Sequence, residues 1–193
     1  MSEKLQTPKL APYDYAVKLF LPIIPESVKP NHLTFLRLIL TPVLIILLVI
    51  DQFMVGLVFF ICLALTDIFD GSIARLRNQI TDWGKVWDPI ADKLLIGSVV
   101  AVLLLEINLS LAILLFAFEA AFILGGTFQK MKRKDVELQA NIWGKIKMNF
   151  HAFGAGFLIL GFFLASANLI TTAEVLLYIS LLFASMSLVT KGI

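Results

Sequence analysis

From about residue 32 to residue 189 the chain alternates between long apolar runs and short polar breaks. A helix needs about 20 largely apolar residues to cross the hydrocarbon core of a bilayer. The runs at 32–50, 54–74, 86–105, 109–129, 146–166 and 170–189 therefore predict six transmembrane helices. Three of the breaks, Asp51-Gln52, Glu106-Ile107-Asn108 and Ser166-Ala167-Asn168, are short enough to be hairpin turns. Ahead of the first run, residues 11–22 mix Tyr13, Tyr15 and Lys18 with apolar positions, which predicts a short helix lying in the membrane interface. The expected fold is an all-α integral membrane protein: one domain over 1–193, six transmembrane helices, and residues 1–30 as an N-terminal interfacial segment. Pro8, Pro12, Asp14, Pro22, Pro25 and Pro30 leave that segment without the compact apolar core of a secretory signal peptide.

Composition supports the membrane assignment, because 59% of residues are hydrophobic where a soluble domain has about half. The net charge of +2 is uninformative, but its placement is not. Lys4, Lys9, Lys18, Lys29 and Arg37 lie before or just inside the first run, and Arg75, Arg77, Lys85 and Lys93 lie around the join of the second and third. Lys130, Lys132, Arg133, Lys134, Lys145 and Lys147 lie between the fourth and fifth, and Lys191 is near the end. All 16 basic residues thus share one side of the predicted membrane, and the three hairpin turns on the other side carry none. The positive-inside rule places both termini in the cytoplasm, and a multi-pass protein of a bacterial plasma membrane is expected. No nucleic-acid partner is expected. Cys62 is the sole cysteine, so no intramolecular disulfide forms, and its apolar neighbours make it a packing residue.

The join of the second and third runs breaks the apolar pattern with carboxylates. Asp67, Asp70, Gly71, Ala74 and Arg75 are spaced i, i+3, i+4, i+7, i+8, and Gly84, Asp88 and Asp92 step by four. Each set lies on one face of a helix. Ionisable groups within spans are costly and default to function, and two adjacent helices would aim four carboxylates at one point. Such a cluster calls for cations. Carboxylate oxygens are hard ligands suited to Mg²⁺ or Mn²⁺, and two ions bridged by carboxylates suit phosphoryl chemistry. Gly71 and Gly84 would let a bulky ligand approach the backbone. Arg75 would grip a phosphate with its planar fork. Pro89 should kink the third helix between Asp88 and Asp92.

The stretch from Asp67 to Asp92 resembles the motif of the CDP-alcohol phosphotransferase family, D-x-x-D-G-x-x-A-R, eight residues, then G-x-x-x-D-x-x-x-D, with all eight fixed positions filled. Pro30, Asn31, Leu33, Thr34 and Arg37 resemble the family's P-N-x-L-T-x-x-R opening. The resemblance implies a transferase that moves a phosphatidyl group from CDP-diacylglycerol to an alcohol and releases CMP. Asp67, Asp70, Asp88 and Asp92 would then bind metal, with Asp92 also the general base. Asn31, Thr34, Gly71, Ala74, Arg75 and Gly84 would hold the CDP-lipid. The resemblance also implies a homodimer embedded among membrane lipids.

The acceptor alcohol is read from weaker features. Gly144-Lys145-Ile146-Lys147 resembles the G-K-x-K-T element of phosphatidylglycerophosphate synthases, with Met148 in place of the Thr. Glu119 resembles the Glu of their R-E pair, with Phe118 where the Arg would stand. Glycerol 3-phosphate is accordingly the expected acceptor, with Glu119, Lys130, Arg133, Lys145 and Lys147 as its contacts; inositol phosphate, serine or another polar alcohol is the alternative. His32 and His151 read as interface or packing residues, and Gly154, Gly156 and Gly161 as sites of close helix packing. A divalent-cation transporter or channel is the rival class. It predicts polar residues through the full depth of the spans, whereas the aspartates here cluster at one end of theirs.

Overall fold

The structure is a computed structural model and describes residues 14–25, 29–132 and 142–190. All of the regular structure in those residues is helical. A short helix, α1 (Asp14–Phe20), runs into a 3-10 turn, Leu21–Ile23. Six long helices follow: α2 (Pro30–Val49), α3 (Phe53–Leu76), α4 (Asp82–Ile107), α5 (Leu109–Lys132), α6 (Ile142–Phe163) and α7 (Ala167–Thr190). Their starts and ends lie within a few residues of the predicted runs.

The helix ends explain why the chain turns where it does. Pro30 opens α2, where a missing N–H is no loss because the first turn has no carbonyl to bond. α3 ends as a Schellman motif: Asn78 takes φ 53°, the Gln79 N–H bonds the Ala74 carbonyl at 2.8 Å, and the Asn78 N–H bonds that of Arg75 at 3.3 Å. Thr81 caps α4, its hydroxyl accepting the Gly84 N–H at 3.0 Å. A single residue, Asn108, joins α4 to α5. Its backbone N–H still bonds Leu104 at 2.8 Å, while its Oδ1 caps α5 by accepting the Leu111 N–H at 3.0 Å. α6 closes like α3, with Ala165 at φ 47° and the Ser166 N–H on the Gly161 carbonyl at 2.9 Å. Pro42 and Pro89 lie inside α2 and α4, and both helices continue through them.

The six-span expectation is corrected. Only α2, α3, α6 and α7 among the described residues are long and apolar enough to cross a membrane. α4 carries Asp82, Lys85, Asp88, Asp92, Lys93 and Glu106, so charge is spread along it, and each charge at depth costs about 2.5–3.5 kcal/mol or more. The described apolar stretch of α5 is Leu109–Phe122, shorter than a crossing. The four crossing helices turn apolar side chains outward, as at Ile39, Ile46, Val58 and Leu182, which suits a lipid-facing surface.

The chain divides into two compact units. Unit 1 comprises 1–47 and 58–98, hence α1, most of α2 and α3, and the first part of α4; unit 2 comprises 48–57 and 99–193. In unit 2, α6 and α7 pack closely. A Cβ at Gly154 would stand 2.8 Å from Leu177 Cδ2, and one at Gly161 would stand 2.8 Å from Ile170 Cγ1. Absent side chains let these two backbones meet, as small residues do between membrane helices.

Candidate active site

Unit 1 collects the aspartates around an arginine. α3 presents Asp67 and Asp70 one turn apart, and α4 presents Asp88 and Asp92 one turn apart. Arg37, from α2, is fully buried. Its Nη2 donates to Asp70 Oδ2 at 2.8 Å, and its Nη1 to Asp92 Oδ1 at 2.5 Å and to Asp67 Oδ1 at 3.3 Å. Its Nε reaches the Thr66 hydroxyl at 3.3 Å. One turn earlier on α2, Thr34 is also buried and donates to Asp88 Oδ1 at 2.7 Å, with Asp70 Oδ2 at 3.4 Å. The four aspartates predicted to act together are thus joined through two side chains of one helix. Burial is uneven: the Asp70 side chain is 2% exposed, Asp92 26% and Asp67 43%, so of the three carboxylates on Arg37, Asp67 is the most open to an incoming ligand.

The other expected donor-binding residues lie around this cluster or beside it. Asn31 Oδ1 accepts the Thr81 hydroxyl at 2.9 Å, tying the start of α2 to the cap of α4. A Cβ on Gly84 would lie 3.2 Å from Thr81 Oγ1, 3.3 Å from Asp88 Oδ2 and 3.4 Å from Asn31 Oδ1. Glycine there keeps the space beside Asp88 clear. Gly71 has a different neighbour, since its Cβ would meet Arg75 Nη1 at 3.3 Å. The Arg75 side chain folds back along α3, and its Nε and Nη2 bind the Asp14 carboxylate at 2.8 and 2.7 Å. Ala74 lies on the same helix and makes no hydrogen bond through its side chain.

The expected acceptor contacts fall in unit 2. Lys147 is buried on α6 and pairs with Glu119 of α5, and its ammonium stands 4.6 Å from the centre of the Phe122 ring. Lys145 is exposed on α6. Arg133 lies outside the described residues, as does the side chain of Lys130.

Whether the aspartates suit a metal has two answers. By donor type and charge they do: three carboxylates meet one guanidinium at Arg37, and the hard oxygen donors and excess negative charge match a divalent cation. In their present arrangement they gather around Arg37, and among the described residues no three acidic, His or Cys side chains are set to hold a metal ion between them. Two residues escaped the sequence reading. In the sequence Arg37 reads as a basic residue at the start of the first run and as part of the P-N-x-L-T-x-x-R opening, although a lone arginine in an apolar run is itself a functional signal. Asp14 carried no signal, because its partner lies 61 residues away.

Comparison with known proteins bears on the whole arrangement. Residues 27–186 match the family model described as CDP-alcohol phosphatidyltransferase. A CDP-diacylglycerol–glycerol-3-phosphate 3-phosphatidyltransferase of Rickettsia typhi is 36% identical over 135 residues, which cover 68% of this chain and 76% of the relative. A protein of the same name from Aquifex aeolicus is 34% identical over 125 residues, 63% of this chain and 69% of the relative. A probable cardiolipin synthase (CMP-forming) of Drosophila melanogaster is 36% identical over 101 residues, 51% of this chain and 31% of the relative.

Proposed function

The chain belongs to the CDP-alcohol phosphatidyltransferase family, and from that premise we propose that it joins the phosphatidyl group of CDP-diacylglycerol to glycerol 3-phosphate in a divalent-metal-dependent reaction. The observation that carries this reading is the meeting of Asp67, Asp70 and Asp92 on Arg37, with Asp88 held beside them by Thr34. The choice of acceptor is supported by the relatives from Rickettsia typhi and Aquifex aeolicus, both named for transfer to glycerol 3-phosphate, and by the Gly144-Lys145-Ile146-Lys147 element.

In the transfer, the acceptor hydroxyl oxygen bonds to the phosphorus of the phosphatidyl group. The bond from that phosphorus to the CMP oxygen breaks, and CMP leaves with the electron pair. Asp92 takes the hydroxyl proton, a role that contributes typically ~10²–10⁴-fold. Arg75 meets the donor diphosphate with its guanidinium charge, and Gly84 leaves room for the donor beside Asp88. Mg²⁺ or Mn²⁺ held by Asp67, Asp70, Asp88 and Asp92 would neutralise the diphosphate and the charge that develops on CMP.

The site and both termini are assigned to the cytoplasmic side. The reading is supported by the even number of crossing helices among the described residues, four, which would put both ends of the chain on one face. The turns at 50–52 and 164–166, on the opposite face, contain no Lys or Arg.

The test is an assay of the purified protein with labelled CDP-diacylglycerol and a panel of glycerol 3-phosphate, inositol phosphate and serine. CMP release with a phosphatidyl product only in the presence of glycerol 3-phosphate is expected. Product with another alcohol and none with glycerol 3-phosphate would replace the acceptor and keep the family reaction.

A further inference from the structure

The N-terminal helix is fastened to the end of α3 by two arginines. Arg77 donates through Nη2 to the Ile24 carbonyl at 2.7 Å and through Nη1 to that of Pro25 at 3.2 Å. Arg75 makes the other attachment, through Nε to Asp14 Oδ2 at 2.8 Å and Nη2 to Asp14 Oδ1 at 2.7 Å. Ser72, one turn back on α3, donates to the same Asp14 Oδ1 at 2.7 Å. The Asp14 side chain is 0% exposed and that of Arg75 is 23% exposed. Val17, three residues on, is also buried, while Tyr15 and Leu19 point outward. α1 therefore turns one face toward α3, and the polar centre of that face is Asp14.

This geometry holds Arg75 in one place. A free arginine side chain carries about 2 kcal/mol of rotamer entropy, and a ligand that must order it bears that cost on binding. Here two parallel hydrogen bonds to one carboxylate define the plane of the guanidinium. Gly71 supplies the ledge beneath it, with Nη1 3.3 Å from where a Cβ would be. Ser72 keeps the carboxylate from rotating. An attachment whose purpose was only to dock α1 would have no need of the arginine that lies beside the motif glycine, since Arg77 already grips that segment.

We propose that Asp14 is a positioning residue for the transfer: it holds the Arg75 fork over Gly71 in the orientation that receives the donor diphosphate. The proposal rests on the reading of Arg75 as a donor-binding residue. It assigns to α1 a part in substrate recognition.

The experiment uses the full-length protein in lipid nanodiscs. CDP-diacylglycerol affinity is measured by titration, alongside the KM of donor and acceptor, for Arg75→Ala, Asp14→Ala, Asp14→Asn, Asp14→Glu and the Asp14→Ala/Arg75→Ala pair. Asp14→Ala is expected to weaken donor affinity about tenfold, within the ~10²-fold that a displaced positioning group can cost, and to leave the acceptor KM unchanged. Asp14→Glu should restore part of the loss. In the Arg75→Ala background, removal of Asp14 should add nothing, because the two residues act as one. If Asp14→Ala prevents folding, the near-isosteric Asp14→Asn carries the test, with a smaller loss in the same direction. Donor affinity that falls in Arg75→Ala but in neither Asp14→Ala nor Asp14→Asn would overturn the proposal and leave the donor role of Arg75 standing. So would an Asp14 effect that adds in full to that of Arg75→Ala, or equal damage to donor and acceptor KM. Unchanged donor affinity in Arg75→Ala would remove the donor reading itself, and the role of Asp14 with it.

Discussion

In unit 1, Asp67, Asp70 and Asp92 converge on Arg37; in unit 2, Lys147 meets Glu119. Both clusters take charge out of water, where it is costly unless compensated. The second matches one positive group with one negative group. It joins α5 to α6. The first gathers more negative charge than its guanidinium offsets, and leaves Asp67 43% exposed. A matched pair serves packing and register. A cluster with negative charge to spare, partly open, suits a divalent cation, and on that ground the metal-dependent chemistry is proposed for unit 1.

If unit 2 is the balanced region, breaking its pair should cost stability first. Lys147→Ala strands Glu119 and should destabilise the protein by about 3 kcal/mol, the lower end for a buried pair, because the Glu119 side chain is 26% exposed. Thermal unfolding in detergent measures it. A smaller shift in unfolding with a large rise in the acceptor KM would make Lys147 a binding residue and blur the comparison. Asp92→Asn probes the other region. It should lower turnover by ~10²-fold or more, as for a lost general base, with donor binding retained, whereas Asp67→Asn should weaken metal-dependent donor binding. Single-turnover kinetics beside a CDP-diacylglycerol titration separates them, and equal loss of donor binding in both would end that division of labour.

The reasons these two regions differed in legibility are physical. The aspartates could be read because helical spacing alone puts Asp67 and Asp70, and Asp88 and Asp92, on common faces. The same holds for the close approach at Gly154 and Gly161, where the sequence needs only to omit a side chain. Arg37 at the centre and Asp14 on Arg75 were missed because those contacts join residues 30 to 61 positions apart, and local periodicity says nothing of which long side chain will reach across. The span count failed for a related reason. The apolar runs of α4 and α5 were visible, but charges along α4, the site aspartates Asp88 and Asp92 among them, interrupt it too often for a crossing helix.

Smaller effects sharpen the contrast further. Gly154→Ala places a methyl 2.8 Å from Leu177 Cδ2 and should cost about 1–3 kcal/mol as overpacking, visible in unfolding with the KM values unchanged. A change in donor KM would mean that unit 2 packing reaches the chemistry. Thr34→Val removes the 2.7 Å bond to Asp88 and should cost about 1 kcal/mol. The half-saturating metal concentration should move with it. Unaltered unfolding and metal response would show that Thr34 has no hold on Asp88.

If the unit 1 carboxylates work through a divalent cation, the decisive measurement is CMP release from CDP-diacylglycerol in the presence of glycerol 3-phosphate, followed with the purified wild-type protein after EDTA treatment and again after Mg²⁺ or Mn²⁺ is returned. CMP release is expected to fall to background with EDTA and to recover with either ion. Full CMP release in metal-free buffer would contradict it.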